Sequence, residues 1–189
     1  MEKRQRFETE RLIMESAHIV DKSKDIANAI HKAGEFEWFY GIKETKERLE
    51  MISINCKCFY NIFDREGKFL GYVGFSPEGE DYEVEIYIIK KYRRRGYATE
   101  CLNRMIREAF LGSIEDIQDK NFTKIVSSVR KENIPSCALM EKCGFENSKA
   151  VADLCVLFHM MPDEEPDKMG APIFMKHYCI TREKGLGSI

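Results

Sequence analysis

The sequence lacks most of what would point away from a soluble globular domain. It has no apolar run of signal or membrane length, and the opening M-E-K-R-Q-R leads into none, so a cytoplasmic chain without membrane contact is expected. Net charge is only −2, which removes any general case for nucleic acid or an anionic surface as partner. The basic run from Lys90 to Arg95 is local. Histidine is scarce and scattered, at positions 18, 31, 159 and 177. The seven cysteines are an odd number, as expected for reduced thiols, and Cys56-x-Cys58 is too tight for the usual zinc pair. No metal is expected. There is no internal repeat, low-complexity tract or linker. The 189 residues are therefore expected to form one domain, 1–189, with a tail that frays from Glu183.

What is present is an alternation of strand and helix signals. Glu8 to Met14 reads as a lead-in and first strand. Asp21 can cap a helix carrying Ile26, Ala27 and Ile30, and a second helix is expected from Lys43 to about Ile54. Between them, Phe36-Glu37-Trp38-Phe39-Tyr40-Gly41 either lines an acceptor pocket or closes the core between the two helices. Phe59–Phe63 and Phe69–Phe75 read as a hairpin around a turn with Gly67. Gly71 and Gly74 inside the second strand signal a bulge or a close backbone approach. Ser76 to Asp81, with Pro77 and Gly79, reads as a polar connection.

The most informative stretch is Glu83 to Glu100, E-V-E-I-Y-I-I-K-K-Y-R-R-R-G-Y-A-T-E. Glu83 to Ile89 is rich in β-branched and aromatic residues and reads as a strand. Cys101, Leu102, Met105, Ile106 and Ala109 form one helical stripe, in a helix running to about Leu111. The turn between them, Arg93 to Ala98, presents backbone N–H groups at a helix N-terminus, where a phosphate is favoured. Gly96 lets such a group approach the backbone closely. Gly112 to Lys120 reads as a polar loop and Lys124 to Val129 as a strand parallel to the first. Asn133 and Pro135 open a second helix that turns Leu139, Met140 and Cys143 inward and stops at Gly144. Ala152–Met161 and Ile173–Thr181 read as the last two strands, joined by the acidic run Asp163–Asp167. The sum is an α+β domain on a mixed, mainly antiparallel sheet with one parallel pair.

Arg93, Gly96 and Ala98, as R-x-x-G-x-A after a strand and before a helix, resemble the pyrophosphate loop of the GNAT superfamily of N-acetyltransferases. N-x-x-S-x-x-L-M-E-K-C-G-F, from Asn133 to Phe145, resembles the second acetyl-CoA motif of that superfamily and follows in the same order. E-T-E-R-L-I, from Glu8 to Ile13, resembles the opening of its ribosomal-protein N-acetyltransferase branch. Together these span nearly the whole chain. The resemblance implies a GNAT-like sheet with a splayed parallel strand pair and about four flanking helices. It implies acetyl-CoA as co-substrate and an amine as acceptor; apart from the resemblance, a monomer or homodimer is expected.

The resemblance also implies roles. Coenzyme A would lie in the splay, its pantetheine arm against Ile86, Tyr87 and Ile88 and its diphosphate on Arg93, Arg94, Arg95, Gly96, Tyr97, Ala98 and Thr99. The N–H near Ile88 would face the developing oxyanion. Asn133 would bond the pantetheine arm, cap the helix, or do both through different atoms. Glu83 stands at the customary acidic position for the general base, and a strand bulge would bring Glu85 there instead. Many relatives have a Tyr at the place of Met140 to protonate the leaving thiolate, which Met cannot do. The ribosomal-protein branch often has a Ser where Ser136 stands, so Ser136 is the candidate donor, or else a plain first-turn serine. No Cys stands where a nucleophile is needed, which favours direct attack on the thioester. The competing reading is an acyl-CoA-binding module without turnover, for which Met140 is the argument. If the loop from Arg93 to Ala98 carries the diphosphate, Gly96→Glu abolishes acetyl-CoA binding measured by calorimetry. Unchanged binding by the variant removes the loop from the site.

Overall fold

The computed structural model describes residues 5–16, 58–117, 119–148 and 175–187. The helices expected from Asp21 and Lys43, the aromatic stretch Phe36–Gly41, the strand Ala152–Met161 and the acidic run Asp163–Asp167 lie outside them. Among the described residues, eight strands form one mixed sheet of order β1-β2-β3-β4-β5-β6-β8-β7. They are β1 (Arg6–Glu8), β2 (Leu12–Ser16), β3 (Cys58–Asp64), β4 (Phe69–Glu78), β5 (Asp81–Ile88), β6 (Lys124–Arg130), β7 (Glu146–Asn147) and β8 (Met175–Thr181). Only β5 and β6 pair in parallel, and all other neighbours are antiparallel. The described helices are α1 (Tyr97–Phe110), α2 (Ile134–Lys142) and α3 (Arg182–Gly187), with a 3-10 turn at Lys90–Tyr92.

Period-2 patterning fills one sheet face with Tyr60, Ile62, Val73, Phe75, Val84 and Ile88, and the stripe Cys101, Leu102, Met105, Ile106, Ala109 of α1 packs within the same buried cluster. The sheet supplies the long-range contacts that a 14-residue helix needs to be stable in water. The helix stops where Gly112 takes φ +72° and returns its N–H to the Ala109 carbonyl. The other face carries Phe59, Asn61, Tyr72, Glu83, Glu85 and Tyr87. Phe59 stacks on Tyr72 at 4.9 Å and Tyr72 on Tyr87 at 5.9 Å.

Four local expectations change. The lead-in from Glu8 is a turn that follows a further strand, β1, folded against β2 with the pair Glu8–Ile13 next to the turn. The connection expected over Ser76–Asp81 shrinks to a tight turn at Gly79 (φ +61°) and Glu80, because β4 continues through Pro77 to Glu78. Pro77 is tolerated because it lies opposite Tyr82 at a non-hydrogen-bonded position of the β4–β5 ladder. The polar loop after α1 has an apolar inner side: Ile114 and Ile117 are fully buried and Phe122 stacks on Phe110 at 5.2 Å.

The tail expected to fray from Glu183 is helical to Gly187. Arg182 anchors it, donating to the carbonyls of Phe110, Lys120 and Phe122, with its guanidinium over the Phe122 ring at 5.3 Å. Gly185 lets the helix lie directly on Phe110, 2.5 Å from where a Cβ would be.

The β3–β4 register shifts between Ile62 and Phe63, and Gly71 sits at that point. A Cβ on Gly71 would lie 1.9 Å from the Tyr87 carbonyl oxygen, so the neighbouring backbone of β5 has to move to admit any side chain. Gly71→Ala is therefore expected to destabilise the fold by about 3 kcal/mol, read from urea unfolding. A loss below about 1 kcal/mol means that the strands do not approach this closely in solution.

Candidate functional site

β5 and β6 are joined through only two residue pairs, Tyr82–Ile125 and Glu83–Val126, while β6 stays paired with β8 along its whole length. The two parallel strands therefore part after Glu83. Buried backbone groups at such a parting need other partners, and β6 supplies some. The Ser127 hydroxyl donates to the Val84 carbonyl at 3.3 Å, and the Ser128 N–H donates to Glu83 Oε1 at 3.1 Å. Further along, Ile89 N–H bonds Leu70 O on the β4 side. Alternation along β5 then turns the Ile86 and Ile88 N–H groups away from β4, toward the opening. The backbone around Ile86, Tyr87 and Ile88 thus offers donors along one wall. Tyr87 itself is buried and points its ring at Tyr72.

The loop after β5 lies beyond this wall. Arg93 folds back: its Nε donates to Ile88 O at 2.7 Å and its guanidinium lies over the Tyr87 ring at 5.3 Å. Arg94 takes φ +63° and Gly96 φ +82°. Arg94 and Arg95 are exposed, and Tyr97, Ala98 and Thr99 form the first turn of α1. The Glu100 N–H reaches Gly96 O at 3.0 Å; those of Tyr97, Ala98 and Thr99 precede it and point out of the helix end. Such an arrangement can cradle an anion, with the positive end of the helix dipole behind it.

The two candidate bases share a strand face but not an environment. The β4–β5 register is unbroken from Asp81 to Ile88, so no bulge moves Glu85 into the place of Glu83. Glu83 sits at the closed end of the opening. Burial raises its pKa. The Ser128 N–H and hydroxyl pull it down, and the charges of Glu78 and Glu85 add to the rise. Ser128 Oγ also lies 3.0 Å from His177 Nδ1. Glu85 Oε1 instead accepts the Tyr72 hydroxyl at 2.6 Å.

On α2, Asn133 caps the helix through Oδ1, which accepts the Ser136 N–H at 3.3 Å. Its amide nitrogen is not part of that bond. Ser136 is half-buried in the first turn, and Met140 is buried in the core. As expected, Met140 and Cys143 are buried and Leu139, half-buried, packs against the core; Cys137 is buried as well. Among the described residues no group of His, Cys, Asp and Glu could hold a metal ion, and no helix is long and apolar enough to cross a membrane.

Sequence reasoning assigned no role to three participants. Ser128 backs Glu83 from the next strand. Tyr72 backs Glu85 from the previous one. The turn Thr9–Arg11 grips the anion loop from the far end of the chain. Thr9 Oγ1 and the Arg11 N–H donate to Glu100 Oε1 at 2.5 and 3.1 Å, and Arg11 Nε donates to Glu100 Oε2 at 2.7 Å. For the last of these the E-T-E-R-L-I opening was a signal, which marked the segment without saying what it touches; Ser128 and Tyr72 had none.

The family described as "Acetyltransferase (GNAT) domain" matches residues 14–146. No curated protein matches the chain significantly. Among solved structures, an acetyltransferase of the GNAT family from Bacillus anthracis superposes with TM-score 0.70 at 18% identity, covering 95% of this chain and 99% of that one. Spermidine N-acetyltransferase from Vibrio cholerae, in complex with CoA and spermine, gives 0.69 at 19% identity, covering 95% and 100%. A Vibrio cholerae chain described as a ribosomal-protein-serine acetyltransferase gives 0.64 at 18%, covering 94% and 97%. At these identities the likeness is one of fold.

The Glu100 contacts set a pH dependence. Burial alone would raise the Glu100 pKa, but the Thr9 hydroxyl and the Arg11 N–H and guanidinium outweigh it and hold it below the ordinary value. A carboxyl lowered on folding stabilises the protein above its unfolded pKa, and that stabilisation is lost as pH falls through the folded value. The melting temperature of the wild type should exceed that of Glu100→Gln at neutral pH and converge on it as pH drops below about 5. A gap that is constant down to about pH 3 contradicts the ion pair.

Proposed function

Because the chain belongs to the GNAT acetyltransferase family, whose match covers residues 14–146, we propose that it transfers an acetyl group from acetyl-CoA to a primary amine by direct attack on the thioester. The observation that carries this reading is the opening between β5 and β6. It has a carboxylate, Glu83, where the strands join and an anion cradle, Gly96–Thr99, beyond the end of β5.

The residues fit the co-substrate. Gly96 takes a φ of +82°, one that other side chains rarely adopt, and a Cβ there would lie 3.2 Å from Arg11 Nη2. Tyr97, Ala98 and Thr99 donate N–H groups to a diphosphate, and exposed Arg94 and Arg95 add positive charge. Ile86 and Ile88 present N–H groups to an extended amide chain, and Asn133 has an amide nitrogen left over from its cap. Bound acetyl-CoA supplies an activated acyl group. Glu83 takes a proton from the incoming ammonium, and its raised pKa brings it closer to the acceptor's. The Ile88 N–H, already directed at the opening, stabilises negative charge as it develops on the carbonyl oxygen, a contribution of a few kcal/mol. Ser136 is the candidate hydrogen-bond donor to the departing sulfur, with water as the alternative proton source.

The acceptor is a small polyamine-like molecule or a protein N-terminus. The resemblance of Glu8–Ile13 favours the second; the spermidine acetyltransferase, a fold neighbour, illustrates the first. A second reading, an acyl-CoA-binding protein without turnover, draws on the burial of Met140 where many relatives place the acidic tyrosine.

Turnover with amines and peptide N-termini separates the two. Glu83→Gln should lower kcat/KM by about 10²–10⁴-fold while acetyl-CoA still binds. Ser128→Ala removes a bond that favours the carboxylate, so the acidic limb of the pH–kcat/KM profile should move upward. Glu85→Gln should have the smaller effect of the two carboxylate variants. Unchanged turnover in Glu83→Gln, Glu85→Gln and Ser136→Ala removes these assignments. Binding of acetyl-CoA with no thiol release from any amine supports the second reading.

A further inference from the structure

The grip of the N-terminal turn on the loop goes beyond general stabilisation. Arg11 uses its whole guanidinium on the cradle. Nε and one terminal nitrogen fork onto Glu100 Oε2 at 2.7 and 2.5 Å, and the other terminal nitrogen donates to Arg95 O at 2.9 Å. The cation also lies 5.0 Å from the centre of the Tyr97 ring. The turn that presents Arg11 is itself closed, with Leu12 N–H on Thr9 Oγ1 and Thr9 N–H on Leu12 O, both at 3.0 Å.

The Arg95 carbonyl and the Gly96 N–H belong to one planar trans peptide unit and point in opposite directions. Gly96 can rotate more freely than any other residue, so this plane has little intrinsic preference. Holding the carbonyl on Arg11 therefore aims the Gly96 N–H away from Arg11. Arg11 has a second effect. Glu100 is the one acidic residue in the first turn of α1, directly behind an anion site. Its charge would oppose a phosphate, and the paired guanidinium neutralises it.

We propose that Arg11, held in place by the Thr9 turn, is a positioning residue for the diphosphate of coenzyme A: it sets the 95–96 peptide plane of the cradle. This rests on the acetyl-CoA reading above. It gives a physical task to the E-T-E-R opening, which sits at the edge of the sheet, far in sequence from both acetyl-CoA motifs.

The test compares two acyl donors, acetyl-CoA and S-acetylpantetheine, which has the thioester and arm but no diphosphate. Arg11→Ala should weaken acetyl-CoA binding about tenfold or more by calorimetry. The KM for S-acetylpantetheine should stay within about twofold, and amide exchange at Gly96 and Tyr97 should speed up. Adding Glu100→Gln to Arg11→Ala should restore acetyl-CoA binding only in part, because the carbonyl remains unheld. If Arg11→Ala does not fold, Arg11→Lys, which keeps the charge but not the fork, should show the same split between donors. Equal weakening of both donors means a purely structural role and overturns the proposal. So does wild-type acetyl-CoA affinity in a folded Arg11→Ala, and so does full recovery in the double variant, which would leave charge neutralisation as the whole effect. A folded wild type that binds no acetyl-CoA removes the underlying reading instead.

Discussion

Everything proposed for this protein depends on the parallel ladder between β5 and β6 ending after two residue pairs. A ladder that continued would consume the Ile86 and Ile88 N–H groups and leave no wall for a ligand. A ladder that never formed would leave the Glu83 carboxylate without the Ser128 N–H. β6 is kept in the sheet by its seven pairs with β8, so it can leave β5 without leaving the fold. Ser127 and Ser128 then cover the first exposed positions of the parting. Small hydroxyl residues suit this place because each reaches one acceptor across the gap without filling it.

Three carboxylates show how environment divides one chemistry into several tasks. Glu83 is buried and shares its charge with one residue of β6, so its proton affinity rises. Glu85, two positions on, lies beneath the hydroxyl of Tyr72. Glu100, at the helix start, collects donors from Thr9 and Arg11 and stays ionised more readily than a free carboxyl. All three read alike in a sequence. The three consecutive arginines divide as well: Arg93 turns back on Ile88 and Tyr87, Arg94 takes the left-handed conformation, and the Arg95 carbonyl is held by Arg11.

The glycines of the site have two distinct uses. Gly96 has the conformation that the cradle requires, and Gly71 allows β4 to approach the carbonyl of Tyr87 where no Cβ fits. The second keeps β5 close against β4 through the stretch that faces the opening. The strand that would hold the ligand is thus supported on one edge by tight packing and left open on the other.

Much of this was legible in the chain itself. The strand before the arginines, the stripe from Cys101 to Ala109, the cap at Asn133 and the stop at Gly144 are local patterns, set by side-chain periodicity and backbone preference within a few residues. The two motifs and their order carried the family, since they record a loop and a helix start whose form is also local. The boundaries that shifted involve long-range contacts. Pro77 stays in a strand because of what it faces, Ile114 and Ile117 are buried by the sheet, and the tail is helical because Arg182 and Gly185 meet Phe110. Only the tertiary structure joined Glu83 to Ser128 and Glu100 to Arg11, pairs 45 and 89 residues apart along the chain. A pattern in sequence reports what a residue's neighbours along the chain require of it; which carboxylate meets which donor is decided by strand order, and that exists only once the sheet has formed.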